Sequence, residues 1–580
     1  MPGSADFVQR FVHTLEAGSA APWIRRALAV IGIFAIALTY MYHFRGLATS
    51  QAMDQAQIGR FIVSGHGWHT NFARPAAIGQ LQARGKDSKR GLWVDTYQAP
   101  LPPLVDAIAL FPLKSRLQVN PRDLVYVGDK AIAVMSILLF LGAVVILFFV
   151  ARRLFDQRLA LLACGLVLVC DRIWEYSTSG LPQMLLLFLF HATVYALVRA
   201  LEAKYSGRAV AFWLVAVGAG FGLLALTHGL TIWMFVAALI FIAFLFRPWG
   251  WAAAIVLAAF LLVYTPWSVR NFVVSGNPAG LAIYSALDGI RHSEAGWMRR
   301  VNFDFEGVGT GTFRDKIINN FISQTGRIFE YLGWSVVALM FFASLLHRFK
   351  RTETSVVRWM ILAMWGGGVF GMALFGINEE QGFAANQLHL IFVPLMTCYG
   401  LAYLLVQFNR LEIEIPQART GFIVVLFILC GFPIFNSLYN MVLGPPRQPM
   451  RWPPYIPPYI AVLNTWMSPG EITASDMPWA VAWYADRPSL WIPVSIKTLT
   501  ELSDYGALGG PVAGLYLTPI SGTQNTFRDI IKGDYSEWAP LIEQTSTLQG
   551  VPFKWGTLVL GIDKECVFLS DHDRSHVESP

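Results

Sequence analysis

Charge is what this chain has least of. Of its 580 residues only 14% are Asp, Glu, Lys or Arg, while 55% are hydrophobic, and the mean hydropathy is +0.48. So little charge cannot cover a water-facing surface, which excludes a soluble globular class and leaves lipid as much of the solvent. Cysteine is scarce as well. The five, Cys164, Cys170, Cys398, Cys430 and Cys566, are scattered and four sit in apolar runs, so neither a disulfide framework nor a C-x-x-C metal spacing is present. No N-x-S/T sequon occurs, which favours a bacterial inner membrane over an endoplasmic reticulum. The net charge of +7 does not argue for nucleic acid, because basic residues in a polytopic protein collect in cytoplasmic connections.

What is abundant is apolar sequence of spanning length. Measured against the roughly 20 residues a membrane helix needs, the chain offers about eleven candidates. They centre on 27–45, 131–150, 157–173, 182–201, 209–227, 230–246, 250–267, 331–347, 357–376, 387–407 and 420–440. Arg25 and Arg26 precede the first, and no small-residue cleavage site follows it, so it reads as a retained helix. With the N-terminus in the cytoplasm, Arg152, Arg153, Arg158, Lys204, Arg208, Arg247, Arg348, Lys350, Arg351, Arg358, Arg410 and Arg419 all fall on the inner side. That orientation puts the loops 46–130 and 268–330, the turn 377–387 and everything after about residue 441 outside. The expected fold is an all-α polytopic membrane bundle over 1–440 with a C-terminal α/β extramembrane domain over 441–580 in the periplasm. The latter reading rests on strand-length runs alternating with helical stretches, including one near 526–545, after the Pro-rich linker 444–459. That tail has no glycine-rich fingerprint for a dinucleotide, and a scaffolding or acceptor-guiding role is expected of it.

One acid stands out. In "QAMDQAQIGRFIVSGHGWHTNFARP" (51–75), Asp54 shares a helical face with Gln57, Ile58 and Phe61, so its carboxylate points inward if 51–63 is helical. A partly desolvated carboxylate is how a general base is tuned. The plainer alternative is a helix cap or a solvated surface acid. In the run "WGGGVFG" (365–371), Gly367 and Gly371 have GxxxG spacing, which predicts close helix packing.

The order of a first helix, "MDQAQIGRFIVSGHGWHTNFARP", "DTYQAPLPPLVDAIAL" (95–110), "ARRLFDQRLALLAC", "LLALTHGL" and "YTPWSVRNFVVSGNP" (264–278) resembles the GT-C membrane glycosyltransferases. The branch is glycosyltransferase family 39, related to protein O-mannosyltransferases and lipid A aminoarabinose transferases. The resemblance covers residues 20–440 as a hydropathy pattern, and "SDMPWAVAWYADRPSLWIP" (475–493) looks like the tail of bacterial members. It implies an enzyme that moves a sugar from a polyprenyl phosphate donor to a glycan, lipid or protein acceptor at the outer face, inverting if by one displacement, with Asp54 as base. Outer cations would hold the leaving phosphate, and Arg74, Arg270 and His389 fall near external helix ends. Arg270 beside Trp267 also suits headgroup anchoring, and His389 and His228 also suit satisfied interfacial histidines. Tyr97 is placed either to stack on a sugar or to sit in the interface.

The chain departs from the family pattern at "YQAPLPPL", where relatives carry an acid and a lysine and this sequence has Gln98 and Ala99, neither able to bind a metal or phosphate as those do. Asp95, Asp171, Glu175, Glu379 and Glu380 are the acids available to substitute. Metal dependence is doubtful, since a divalent ion wants more than one oxygen ligand. A noncatalytic receptor or assembly factor on the same scaffold is therefore the alternative. A transporter is less well supported, because the span centres hold few ionisable residues.

Overall fold

The computed structural model describes residues 21–85, 92–412, 415, 417–444, 457–504, 506–518, 534–539, 555–560, 566–572 and 574. Most of the linker at 444–459 and of the helix expected near 526–545 lies outside these residues. Every place where the sequence suggests a span holds a helix, but not every helix is long. Among the described residues seven are long and apolar enough to cross a membrane: Arg26–His43, Val127–Leu154, Gln183–Tyr205, Trp251–Ser275, Thr352–Phe375, His389–Asn409 and Ala418–Val442. Gln157–Leu168, Ala211–Thr227 and Thr231–Leu245 are apolar but shorter. A helix of 15 residues reaches roughly 22 Å, short of the ~30 Å hydrocarbon core. The span expected over 331–347 is interrupted. Gly333 (φ 68°) and Trp334 (φ 58°) take left-handed backbone between Ile328–Tyr331 and Val336–Ser344, and the Ser335 hydroxyl caps the second piece. Hydropathy saw one run where the backbone breaks.

The bundle packs as the GxxxG spacing predicts. A Cβ on Gly367 would lie 2.4 Å from the Trp233 carbonyl oxygen, and one on Gly371 would lie 2.6 Å from the Trp233 ring. Only glycine lets the helix Thr352–Phe375 approach Thr231–Leu245 this closely. Outward faces carry large apolar side chains, among them Phe34, Leu262 and Phe432, which need lipid as their solvent.

The two ends differ. At one, Arg153 pairs with Glu202, Arg351 donates to the carbonyls of Arg153 and Phe155, and Lys204 donates to the Leu245 carbonyl. These are the connections that the sequence groups on one side. At the other, the segments 46–130, 268–330, 377–387 and the C-terminal part touch one another through Ser50–Glu380, Arg270–Asp95, Arg299–Ile492 and Arg60–Asp486 contacts.

The C-terminal sheet reaches back across residue 441. Its strands are β1 (Phe72–Ala73), β2 (Ile472–Ser475), β3 (Ser489–Trp491), β4 (Val512–Leu517), β5 (Trp555–Leu560) and β6 (Cys566–Ser570), in the spatial order β1-β3-β2-β4-β6-β5. The pairs β1/β3, β3/β2 and β2/β4 are parallel, and β4/β6 and β6/β5 antiparallel. The edge strand β1 thus comes from the first large loop. Two buried polar side chains fasten the same junction: Arg60 donates to the carbonyls of Trp483 (2.9 Å) and Ala482 (2.7 Å), and Asp129 accepts from Trp483 Nε1 (2.7 Å) and the Tyr484 hydroxyl (2.9 Å).

Candidate functional site

Asp54 sits on the helix Ser50–Ser64, whose ends are set by other residues. The Thr49 side chain accepts from the Ala52 amide, Glu380 receives the Ser50 amide (3.0 and 2.9 Å) and hydroxyl (2.8 Å), and Gly65 ends the helix with φ 87°. A carboxylate at a helix N-terminus is favoured by the backbone dipole. Asp54 is neither cap nor surface acid. It is 1% exposed, and every residue from Ala52 to Phe61 is buried, so this helix is enclosed on all sides rather than on one face. Gly59 lets the helix Leu101–Leu110 lie against it, with the Pro103 carbonyl oxygen 3.0 Å from where a Cβ would stand.

The Asp54 carboxylate is asymmetric. Oδ2 accepts from Arg74 Nη2 at 2.6 Å and from Gln98 Nε2 at 2.6 Å, whereas Oδ1 is buried with no hydrogen-bond partner among the described residues. Arg74 follows β1 directly, so pairing of that strand with β3 fixes where the guanidinium starts. The group lies 4.1 Å from the ring centres of both Phe72 and Tyr97 and reaches Asp95 Oδ1 at 3.7 Å. Asp95 likewise follows a short strand, Trp93–Val94, paired with His69–Thr70. Its carboxylate accepts the amides of Gln98 (2.9 Å) and Tyr97 (3.3 Å), and its carbonyl accepts from Arg270 Nη1 (2.5 Å).

Electrostatics follows from this burial. Burial raises the Asp95 carboxyl to about 6, with the neighbouring Asp54 charge adding to the rise and Arg74 opposing it. For Arg74, burial pulls the guanidinium down, but Asp54 and Asp95 more than offset that, and it stays charged. Because Arg74 spans the space between the two carboxylates, these residues do not fit a resident divalent ion shared by Asp54 and Asp95.

Two hollows meet at Tyr97 and Gln98. One, of about 460 Å³, runs between membrane helices with Leu230, Trp233, Tyr264, Trp267 and Phe375 in its walls and His228, Asn271 and Asn386 as polar groups. The other, of about 240 Å³, is lined by Arg74, Glu379 and Glu380 and by Trp479 and Trp491 of the C-terminal part. Asp54 itself is in neither lining and stands behind Arg74 and Gln98.

Of the residues singled out in the sequence, Asp54, Arg74, Asp95, Tyr97, Gln98 and Arg270 are brought together. Arg270 does more than anchor a headgroup, since it holds the Asp95 carbonyl and Asn271 Oδ1 (2.9 Å) while lying 4.5 Å from the Trp267 ring centre. His228 lines the apolar hollow. Glu380 caps the Asp54 helix, and Glu379 is paired with Arg327 at 2.8 Å. His389 is not brought to the cluster. It is fully buried, accepts from Trp365 Nε1 at 3.1 Å, lies 3.3 Å from Gln324 Oε1 and stacks on Tyr331, a satisfied histidine inside the bundle. Asp171 and Glu175 are engaged elsewhere, with Tyr40 and Ser437 and with Arg172. Gln98 carries no charge to replace the family's acid or lysine, but it joins the cluster: it donates to Asp54 Oδ2, and its own Oε1 accepts from Gln55 Nε2 at 3.1 Å. Sequence reasoning missed Gln55, Asn271, Trp479 and Trp491. The tryptophans of "PWAVAWYADRPSLW" are visible in the sequence, but nothing there links Trp479, on the short helix Pro478–Ala480, or Trp491, in β3, to Phe72 of the first loop.

Residues 123–269 match the model of the family described as dolichyl-phosphate-mannose-protein mannosyltransferase. That stretch is a minority of the chain and includes His228 but not Asp54, Arg74 or Asp95. The fold is similar to ArnT from Cupriavidus metallidurans, solved bound to undecaprenyl phosphate, with a TM-score of 0.51 and 13% identity over 95% of this chain and 99% of that one. It is also similar to the oligosaccharyltransferase AglB from Archaeoglobus fulgidus, solved with an inhibitory peptide and a dolichol-phosphate, with a TM-score of 0.52 and 12% identity over 96% and 75% of the two chains. Identities this low speak to fold. No curated protein sequence matches the chain. The GT-C resemblance is thereby borne out at the level of architecture, and the chain is an integral membrane protein of that fold.

Proposed function

We propose that this protein is a membrane glycosyltransferase that takes a hexosyl or pentosyl group from a polyprenyl phosphate and passes it to an acceptor hydroxyl at the outer, periplasmic face. The observation that carries the reading is the half-held Asp54 carboxylate. Two donors fix Oδ2, and the buried Oδ1 is left to accept a proton, beside a cleft that shares Tyr97 and Gln98 with an apolar hollow between membrane helices. The polyprenyl chain lies in the apolar hollow, and its sugar enters the polar cleft.

Asp54 lines neither hollow, so the step needs Gln98 or Arg74 to shift and uncover it; the acceptor hydroxyl then gives its proton to Asp54 Oδ1 as its oxygen attacks the anomeric carbon. The bond from that carbon to the phosphate oxygen breaks, and polyprenyl phosphate leaves with the electron pair. One displacement inverts the centre. Holding the reactants in line lowers the entropy cost, and a fixed cation stabilises the charge developing on the phosphate. Arg74 is the cation in the cleft, and Arg270 holds the Asp95 segment that positions it.

The fold likeness to ArnT and AglB, each solved with a polyprenyl-type phosphate, supports the choice of carrier. The test is to incubate the purified chain with polyprenyl phosphate carrying different sugars and with candidate glycan, lipid and peptide acceptors, and to follow free carrier phosphate. Acceptor-dependent release from one carrier supports the reading, and none from any carrier that binds counts against it. A noncatalytic receptor draws on the Asp54–Arg74 ion pair, which engages the base. It requires carrier binding without turnover.

A further inference from the structure

Two tryptophans of the C-terminal part stand in the cleft that Arg74 lines, and nothing in the transfer chemistry above uses them. Trp479 and Trp491 meet edge to face with ring centres 5.3 Å apart, and both contact Phe72, at 6.0 and 5.9 Å. Phe72 in turn carries the Arg74 guanidinium on its face. The Trp491 indole N–H is satisfied by the Tyr535 hydroxyl at 2.9 Å, which fixes that ring, while the Trp479 N–H has no hydrogen-bond partner among the described residues. Both are largely buried, 6% and 9% exposed, and both line the cleft but not the apolar hollow. The same cleft is lined by groups that bond hydroxyls: Gln98, Glu379 and Asn386.

We infer that Trp479 and Trp491 form the aromatic wall of a pyranose subsite, so that the C-terminal part supplies a specificity surface of the cleft rather than a scaffold beside it. The inference rests on the glycosyltransferase reading for its setting. A pyranose ring has one apolar C–H face and a rim of hydroxyls. An aromatic surface sharing a cleft with carboxylate and amide groups complements both at once, the usual arrangement of a small-ligand site in which apolar walls bind and a few polar groups orient. A second carrier phosphate does not suit this wall, since its tryptophans offer no positive charge. The ring bound there belongs either to the donor sugar or to a sugar acceptor.

The experiment measures binding by the full chain in nanodiscs, for wild type and for Trp479→Leu, Trp491→Leu and Trp491→Phe. The probes are bare polyprenyl phosphate, the same carrier bearing a hexose, and methyl pyranosides added to protein loaded with bare carrier. The expected result is that one sugar probe weakens by roughly tenfold in the Leu variants, the scale of one lost aromatic face, and recovers in Trp491→Phe, with bare-carrier affinity unchanged. Loss with the hexose-bearing carrier identifies the donor sugar, and loss with the methyl pyranosides identifies an acceptor sugar. Sugar binding indifferent to both tryptophans overturns the inference, as does no pyranose binding to protein that holds the carrier. Failure of bare carrier to bind counts against the glycosyltransferase reading instead, and the methyl pyranosides then decide the subsite alone. Should the Leu variants fail to fold, photolabelling of wild type with a diazirine pyranoside decides: label on 477–491 upholds the subsite, and label confined elsewhere overturns it.

Discussion

Arg74 Nη2 lies 2.6 Å from Asp54 Oδ2, and both side chains are almost wholly buried. The pair is joined across twenty residues of chain, with Arg74 placed by the strand Phe72–Ala73 of the first loop, which is built into the C-terminal sheet and ends just before it. Local structure, domain contact and candidate chemistry meet in that one contact.

Removing the cation leaves Asp54 and Asp95 buried without their shared counter-charge. Arg74→Ala is expected to destabilise the protein by about 3–5 kcal/mol, the usual consequence of breaking a buried pair from one side. Arg74→Ala combined with Asp95→Asn recovers part of that loss. Thermal unfolding in detergent, followed for the two variants and wild type, checks the order.

Asp95 has a carboxyl raised to about 6, by burial first and by Asp54 second. A folded value above the unfolded one means its contribution is fully present below about pH 4 and is lost as pH rises through about 6. The melting temperature of Asp95→Asn minus that of wild type is therefore expected to increase between pH 4 and 7 and to level off above. A difference that stays flat across that window contradicts the assignment.

Close helix packing gives a third expectation. Gly371→Val places side-chain atoms where the Trp233 ring stands, and overpacking of this kind costs about 1–3 kcal/mol. Gly366, whose Cβ would meet nothing within 4 Å, should tolerate alanine. Comparing the melting temperatures of the two variants tests whether the contact, rather than glycine content, matters.

The bundle was legible because lipid imposes a length and a polarity on every spanning segment, and hydropathy reads both. What hydropathy cannot read is where the backbone turns, so the break at Gly333 and Trp334 and the shortness of Ala211–Thr227 and Thr231–Leu245 escaped it. The Asp54 neighbourhood was legible in part. Asp54, Arg74, Asp95, Tyr97 and Gln98 lie close in sequence and meet in space, whereas the nearness of His389 to a helix end says nothing of the Trp365 and Gln324 groups around it. Trp479 and Trp491 are some 400 residues from Arg74, and the parallel pairing of Phe72–Ala73 with Ser489–Leu490, together with the Arg60 and Asp129 contacts to 482–484, brings them there.

The central claim is that Asp54 takes the acceptor proton, and the most direct measurement is acceptor-dependent release of carrier phosphate by wild type and by Asp54→Asn. Loss of the base is expected to slow release by on the order of a hundredfold or more while carrier affinity holds, because asparagine keeps the size and can still meet Arg74 and Gln98. Release at the wild-type rate from Asp54→Asn would contradict the account.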